Sequence, residues 1–333
     1  MPEPLVKVVN LKKFFPLRSG LISSFLRFVR REEKKYIHAV DGISFAIRKR
    51  EIFGLAGESG CGKTTTGMTL VGLYKPTEGK IYFKGKDLSL IRGKELKKLR
   101  RKLQMIFQDP YASLNPRFTV FDTVAEPLRI HKIGEKEEIT DRVSRALEES
   151  GLKPPEFFFD KFPHELSGGQ RQRVCIARAL VLEPEFLVAD EPVSMLDVSI
   201  RAGILDLLQR LNRKLELACL FISHDLSVMR HICHRVAIMY LGKIVEKGPT
   251  EELIKKPLHP YSKALISAVP EPDPDFKRTH VELKGEVGNP VEIPRGCRFR
   301  PRCSFAMKIC KEKEPPLIKI GKNREVACHL FTD

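Results

Sequence analysis

The sequence contains no apolar run long enough to cross a bilayer. A membrane-spanning helix needs roughly 20 mainly apolar residues in succession, and no stretch of the 333-residue chain has that character. The opening MPEPLVKVVN also lacks the basic region and the apolar region of a secretory signal. We therefore expect a cytoplasmic chain. Its length fits one large domain with a smaller appendage.

C-x-x-C pairs and internal repeats are also missing, although the chain has eight cysteines. Thiols stay reduced in the cytoplasm, so we expect no disulfide framework. Four of the cysteines lie within apolar or motif segments and are predicted to pack as small apolar side chains. They are Cys61, Cys175, Cys219 and Cys233.

The formal net charge of +17 indicates anionic partners, such as nucleotide, nucleic acid or an acidic membrane surface. Basic residues are densest at 27–35 and 93–102. Such runs are equally typical of a solvated helix face with Glu–Lys pairs. Charge alone therefore does not identify the partner.

A phosphate-binding loop is predicted at GESGCGKT, residues 57–64. It follows the apolar run IFGLA, which fits a buried strand, and precedes a predicted helix. Glycines let backbone N–H groups face phosphates, Lys63 would reach the β- and γ-phosphates, and Thr64 would bind Mg²⁺. The alternative is a glycine turn before a structural helix. The predicted ATP-binding residues here are Gly57, Glu58, Ser59, Gly60, Cys61, Gly62, Lys63, Thr64 and Thr65.

Two carboxylates follow the apolar segment FLVA at 186–189. They would lie at the carboxyl end of a buried strand, where open α/β sheets bind their ligands. Asp190 is suited to hold Mg²⁺, which prefers hard oxygen ligands. Glu191 is suited to polarise an attacking water. A solvated turn is the alternative for this pair.

The segment LSGGQ resembles the signature of ABC-type ATPases. Its hydroxyl and bare amides at a helix start form a second anion-binding device. In that family the signature caps the γ-phosphate held by a partner subunit, so the resemblance implies two ATP molecules between two head-to-tail subunits. The signature residues are Leu166, Ser167, Gly168, Gly169 and Gln170.

The resemblance also implies roles outside the loop and the signature. Gln108 would meet Mg²⁺ and the attacking water, and His224 would donate to the γ-phosphate, although a lone histidine after a strand is usually structural. Asp197 would contact the opposite subunit. The family stacks an aromatic ring on adenine, and Phe15 is the closest counterpart. An inserted basic segment at 16–35 leaves Tyr36 as the second candidate and core packing as the alternative for both rings.

The expected fold is an α/β P-loop ABC ATPase core with a small C-terminal extension. The core, residues 1–250, would combine a mixed sheet with a RecA-like part, an antiparallel front and a helical subdomain at about 115–180. Strands are predicted at 5–9, 43–47 and 80–83, and a long helix at 198–216. The extension, residues 251–333, would be an extended, proline-rich strap. Its HPY…AVPEPDP pattern closely resembles ATPase subunits of oligopeptide/dipeptide importers.

A second group of cysteines lies in this extension at Cys297, Cys303, Cys310 and Cys328. Four reduced cysteines so close in sequence suggest a soft metal centre. Their spacings of five, six and seventeen residues match neither common zinc sites nor ferredoxins, so zinc and iron–sulfur stay open on the residues alone. The family resemblance favours a 4Fe-4S cluster. Four unligated cysteines are the remaining alternative.

The implied function is the ATP-hydrolysing motor of a peptide importer at the cytoplasmic face of the inner membrane. Its partners would be transmembrane permease subunits, a second ATPase subunit, identical or related, and, indirectly, a peptide-binding protein. The alternative is a nucleic-acid-associated ABC ATPase with a metal-bound basic tail. The basic segments lack interleaved aromatic residues for base stacking, so no nucleic acid is expected.

Overall fold

A computed structural model of the chain describes residues 3–17, 35–268, 285 and 288–332. In these ranges the strands are β1 (Val6–Pro16), β2 (Tyr36–Ile47), β3 (Ile52–Ala56), β4 (Glu78–Phe83), β5 (Lys86–Asp87), β6 (Leu103–Ile106), β7 (Phe186–Asp190), β8 (Ala218–Ser223), β9 (Arg235–Tyr240), β10 (Lys243–Pro249), β11 (Ile318–Ile320) and β12 (Arg324–Val326). The α-helices are α1 (Lys63–Leu70), α2 (Gly93–Lys102), α3 (Pro110–Ser113), α4 (Val120–His131), α5 (Lys136–Glu149), α6 (Glu156–Phe159), α7 (Gly168–Leu180), α8 (Val198–Lys214), α9 (Leu226–Ile232), α10 (Thr250–Lys255), α11 (Pro260–Ser267) and α12 (Ile309–Glu312).

The front of the molecule is an antiparallel sheet in the order β2-β1-β4-β5. The three strands predicted near the N-terminus fall in β1, β2 and β4. On β1 the side chains of Val6, Val8 and Leu11 are buried, and they pack with apolar residues of the main sheet in one core. The front sheet therefore covers one face of the main sheet.

The main sheet is mixed, in the order β11-β12-β10-β9-β3-β8-β7-β6. The strands from β9 to β6 are parallel, and the other three add antiparallel to the β9 edge. Every residue of β3, β7 and β8 is buried, as expected for parallel strands covered on both faces. The segments after these strands consequently meet at one edge of the sheet.

A helical subdomain follows β6 and matches the region predicted to be helical. Helices α4, α5 and α7 pack around a separate apolar core that includes Val124, Leu128, Val143 and Leu147. The long helix predicted at 198–216 is α8, which ends at Lys214. None of the helices in the described ranges is long and apolar enough to cross a membrane.

Of the two basic runs, only residues 93–102 lie fully within the described part of the chain. Residues 93–102 form α2, in which no side chain is buried, so this run is the solvated helix face that we considered. The run at 27–35 lies outside the described residues except for Lys35, and so does most of the inserted segment at 16–35.

The described part of the predicted C-terminal extension is more folded than we expected. We expected an extended strap after residue 247, but α10 and α11 form within it. Pro260 does not break the helix because it occupies the first turn, where its missing N–H costs nothing. His259 caps that turn, with Nδ1 accepting a hydrogen bond from the Tyr261 N–H at 3.0 Å. Burial lowers the pKa of His259 to about 3, so the ring stays neutral and keeps this acceptor.

A buried ion pair joins the extension to the main sheet. Strand β12 pairs with β10 through the residue pairs Val326–Glu246 and Glu325–Lys247. The Glu246 side chain is fully buried and bonded to the Arg324 guanidinium. It also accepts backbone N–H groups of Leu258 and His259 at 3.1 and 2.9 Å.

Replacing Arg324 by Met is expected to destabilise the protein by about 3 kcal/mol, because the change leaves the Glu246 carboxylate buried without its counter-charge. Urea unfolding followed by far-UV circular dichroism measures the loss. Lys322→Met is the matched control, since Lys322 lies exposed in the same hairpin. Equal unfolding midpoints for the two variants would contradict the role of the pair.

Candidate active site

The phosphate-binding loop passes very close to two backbone carbonyl groups. It links β3 to α1, and Gly57 and Gly62 have φ angles of 149° and 106°. A Cβ on Gly57 would lie 2.2 Å from the Met239 carbonyl oxygen, and one on Gly62 would lie 1.9 Å from that of Ala39. Only glycine fits at these two positions.

The ammonium group of Lys63 points back over the loop. Its Nζ donates to the carbonyl oxygens of Gly57 at 2.7 Å and Glu58 at 3.0 Å, and the residue is only 5% exposed. A buried cation held by neutral carbonyls is well placed to bind an anion in the loop.

Thr64 and Asp190 meet at the edge of the main sheet. The Thr64 hydroxyl donates to the Asp190 carboxylate at 3.1 Å. Burial raises the pKa of Asp190 to about 6, opposed by the Thr64 hydrogen bond, while the charge of Glu191 raises it further. A hydroxyl and a carboxylate side by side are hard oxygen donors of the type that Mg²⁺ takes.

Glu191 lies between Gln108 and His224. Its carboxylate accepts from Gln108 Nε2 at 3.0 Å and lies 3.1 Å from His224 Nδ1. Its backbone has a φ of 44°, a left-handed conformation that is strained for a glutamate and is typical of functional sites. The backbone N–H is fixed by the Ile222 carbonyl at 2.9 Å. Three sequence-predicted residues are thus in direct contact although they follow three different strands.

The phosphate-binding loop, Gln108, Glu191 and His224 border one cavity of about 740 Å³. Its lining includes most of the predicted nucleotide-site residues: Phe15, Gly57, Glu58, Ser59, Gly60, Gly62, Lys63, Thr64, Thr65, Gln108, Glu191 and His224. Cys61 was also predicted but does not line this cavity; its side chain is buried, like those of Cys175, Cys219 and Cys233. Asp190 lines the adjoining cavity instead.

The aromatic side of the cavity includes residues that the sequence did not reveal. Phe15 lines it and packs edge-on against Tyr74, with ring centroids 5.2 Å apart. Tyr36, the second candidate for the adenine contact, is not among the lining residues. Leu265 and Pro290 of the extension complete this side, and the Pro290 carbonyl accepts the His38 N–H at 3.1 Å. No sequence motif marks Leu265 or Pro290, because both are distant in sequence from the phosphate-binding loop and reach the cavity only through tertiary packing.

The signature segment forms the predicted helix start, away from this cavity. The Ser167 hydroxyl accepts the Gln170 N–H at 3.2 Å, and the Gln170 side chain accepts the Ser167 N–H at 2.9 Å. This reciprocal capping box starts α7. None of residues 166–170 lines the loop cavity. Asp197 precedes α8 and is exposed.

A second cavity, of about 700 Å³, adjoins the first. It lies between the main sheet and the helical subdomain, and Thr64 and Gln108 border both cavities. Arg100, Phe107 and Pro127 form part of its wall.

The four C-terminal cysteines come together in space. The Cys297 N–H donates to the Cys310 carbonyl at 2.8 Å. Burial raises the pKa of Cys297 to about 11, and the nearby Cys310 and Cys328 raise it further. The pKa of Cys303 is raised by burial and then by Cys310. Yet no three metal-ligating side chains in the described ranges are arranged to hold a metal ion. The four cysteines are therefore close to one another, whereas the described residues form no site that could hold a single metal ion.

Comparisons with known proteins show which family the chain belongs to. A family model described as "ABC transporter" matches residues 40–194, and one described as "Oligopeptide/dipeptide transporter, C-terminal region" matches 245–310. The oligopeptide transport ATP-binding protein AppF of Bacillus subtilis is 47% identical, over 99% of this chain and 98% of that protein. The dipeptide transport ATP-binding protein DppF of Haemophilus influenzae is 43% identical, over 98% and 96%.

Among solved structures, a similar fold is that of the ATP-binding cassette MJ0796. It was determined as a dimer in a post-hydrolysis state bound to ADP and phosphate. The TM-score is 0.63 at 30% identity, over 74% of this chain and 98% of the cassette. The relatives match nearly the whole chain, and the cassette matches its core. The chain therefore belongs to the ABC transporter family, among the ATP-binding proteins of oligopeptide and dipeptide transporters.

Proposed function

We propose that this protein hydrolyses ATP to drive the import of oligopeptides or dipeptides. The observation that carries the proposal is the convergence of Thr64, Asp190, Glu191, Gln108 and His224 on the phosphate-binding loop. These residues supply, in one place, the groups that phosphoryl transfer needs. The names of AppF and DppF supply the class of solute.

The triphosphate would bind in the loop cavity. Lys63 would exchange its carbonyl partners for β- and γ-phosphate oxygens, and the amino end of α1 adds a partial positive charge. Phe15 would stack on the adenine, with Leu265 and Pro290 beside it. The Lys63 ammonium group would thus lie at the phosphate end of the cavity, and the apolar side chains at the adenine end.

Mg²⁺ fits the donor set at the Thr64–Asp190 contact. Thr64, Asp190 and Gln108 supply a hydroxyl, a carboxylate and an amide oxygen, all hard ligands. When bound, the ion would neutralise charge on the β- and γ-phosphates. The protein's part is to hold these oxygens at the end of β7 and the start of α1.

Glu191 would act as the general base. Gln108 and His224 fix its carboxylate from two sides, and the γ-phosphate would lie near all three. A water oxygen bonds to the γ-phosphorus as the bond to the β–γ bridging oxygen breaks. The water proton passes to Glu191, and ADP and inorganic phosphate are released. His224 would donate a hydrogen bond to the charge developing on the γ-phosphate.

A second subunit would complete each site. The signature residues do not line the chain's own loop cavity, and their helix start would bind the nucleotide of another subunit. Met195 and Val198, large apolar residues that are 56% and 79% exposed, flank Asp197; this pattern suits a subunit contact. MJ0796 forms a dimer. We propose a head-to-tail pair, with itself or a related chain, that binds two ATP molecules.

The cavity beside Gln108 would receive a segment of a transmembrane permease subunit. It borders both the nucleotide site and the helical subdomain, so closure of the ATP pocket would change its shape. The ATPase would then lie at the cytoplasmic face of the membrane, held there by the permease. A peptide-binding protein would deliver the solute. The relatives' names favour this partner set over the nucleic-acid alternative.

We also propose a 4Fe-4S cluster on Cys297, Cys303, Cys310 and Cys328, in an extension that begins near residue 251. Support comes from the four thiols of one short segment, which lie near one another. A multi-iron cluster spaces its thiolate ligands more widely than a single ion does, so an ion-sized site is not required. The cluster would supply structural cross-linking through four Fe–S bonds.

The base assignment is tested with Glu191→Gln. This variant should bind ATP but lose at least about 100-fold in kcat, because an amide cannot take the water proton. With ATP and Mg²⁺ it should accumulate as a dimer in analytical ultracentrifugation. Lys63→Ala is the comparison, since loss of the phosphate cation should abolish both binding and dimerisation. Normal turnover by Glu191→Gln would show that another group is the base.

The pH dependence of Mg²⁺ binding tests Asp190. Its pKa of about 6 without ligand means that protonation competes with Mg²⁺ below that pH. Affinity for Mg²⁺ in the ATP complex should therefore fall about tenfold per pH unit below pH 6 and level off above it. The γ-phosphate itself titrates, so Asp190→Asn is the control. The two proteins should differ in slope; parallel slopes would remove Asp190 from the metal site.

Metal analysis tests the cysteine proposal. Anaerobically purified protein should contain about four iron atoms per chain and show broad visible absorbance that dithionite bleaches. Cys303→Ala should lose most of this iron, whereas Cys175→Ala, which alters a buried cysteine elsewhere, should keep it. Stoichiometric zinc, or iron retained in Cys303→Ala, would refute the assignment.

A further inference from the structure

An ion pair connects the phosphate-binding loop to residues 295–328, which contain the four C-terminal cysteines and are called the cysteine segment below. Arg302 Nη1 lies 2.6 Å from Glu58 Oε2, and Nη2 lies 3.0 Å from Oε1. The side chains are 7% and 22% exposed. This is a bidentate, largely desolvated contact between residues 244 positions apart in sequence. Such pairs are both strong and geometrically specific.

The same loop residue is held a second time by the extension. The Glu58 N–H donates to the Tyr261 hydroxyl at 2.9 Å. The Tyr261 ring lies in a buried aromatic group with Tyr240 and Phe299, with centroids 4.8 and 5.4 Å away. Phe299 belongs to the cysteine segment, so this segment supports Glu58 through its backbone as well as its side chain.

The charge of Glu58 makes the pair consequential for nucleotide binding. Glu58 lines the cavity with Lys63 and Thr64, so its carboxylate, if it were free to turn inward, would enter the space that a triphosphate would occupy. An unneutralised carboxylate there would repel the phosphates and would also attract the Lys63 ammonium group away from them. Arg302 cancels this charge and fixes the side chain away from the phosphate path.

We propose that Arg302 is a positioning residue for the ATP site, acting by neutralising and anchoring Glu58 of the phosphate-binding loop. The cysteine segment thereby becomes part of the nucleotide site, since Arg302 immediately precedes Cys303. This inference rests on the proposed ATP binding and deepens it. Arg302 itself touches no reacting atom.

The test measures MgATP binding and steady-state kinetics of four variants of the full chain. Arg302→Met should weaken ATP binding about tenfold and raise KM to a similar extent, with kcat within about twofold. Glu58→Gln alone removes the negative charge but leaves Arg302 without its partner, so it serves as the reference for the double variant. Adding Glu58→Gln to Arg302→Met should restore most of the affinity. The matched control is Arg295→Met, an exposed arginine of the same segment, which should bind like the unaltered protein.

A purely structural role for Arg302 predicts a different pattern. Packing damage would not be repaired at Glu58, so a double variant as weak as Arg302→Met would overturn the proposal, as would unchanged affinity in Arg302→Met. Far-UV circular dichroism checks that each variant folds. If Arg302→Met does not fold, Arg302→Lys is measured instead. This variant keeps the positive charge but loses the planar two-pronged geometry of the guanidinium group, so it should weaken ATP binding about threefold. Unchanged affinity in Arg302→Lys would then overturn the proposal. Failure of the unaltered protein to bind ATP would refute the proposed function instead.

Discussion

Most of the candidate site depends on how closely the phosphate-binding loop approaches two backbone carbonyls. Gly57 lies against Met239 of β9, and Gly62 lies against Ala39 of β2. The loop is therefore fixed between the main sheet and the front sheet. This placement starts α1 at Lys63 and turns Thr64 toward Asp190. It also leaves Glu58, Ser59 and Gly60 on the cavity surface, where Glu58 contacts Arg302 and Tyr261.

Local interactions explain why much of this arrangement could be predicted from sequence. The loop, the capping box of Ser167 and Gln170, and the buried strands before Asp190 and His224 each depend on residues within a few positions of one another. Parallel strand order then brings their carboxyl ends to one edge. The strained backbone of Glu191 was not predictable, because it depends on Ile222 of the adjacent strand.

Long-range packing explains what the sequence did not predict. The HPY segment was expected to be an extended strap, but Pro260 starts a helix and Tyr261 enters the main core. Leu265 reaches the nucleotide cavity because that helix packs where it does, and Pro290 lies beside it through its hydrogen bond with His38. The Arg302–Glu58 pair joins segments that no local pattern relates. The spacing of the four C-terminal cysteines was enough to group them. It could not predict that their side chains would form no site for a single metal ion.

The pairing of β12 with β10 has a consequence for shortened versions of the chain. A truncation near residue 250 would leave β10 as an open edge strand with unpaired amides, beside apolar surface that normally faces Phe299 and Val326. Exposed edges of this kind recruit strands from other molecules. A chain shortened in this way should therefore self-associate, because β12 normally pairs with this edge.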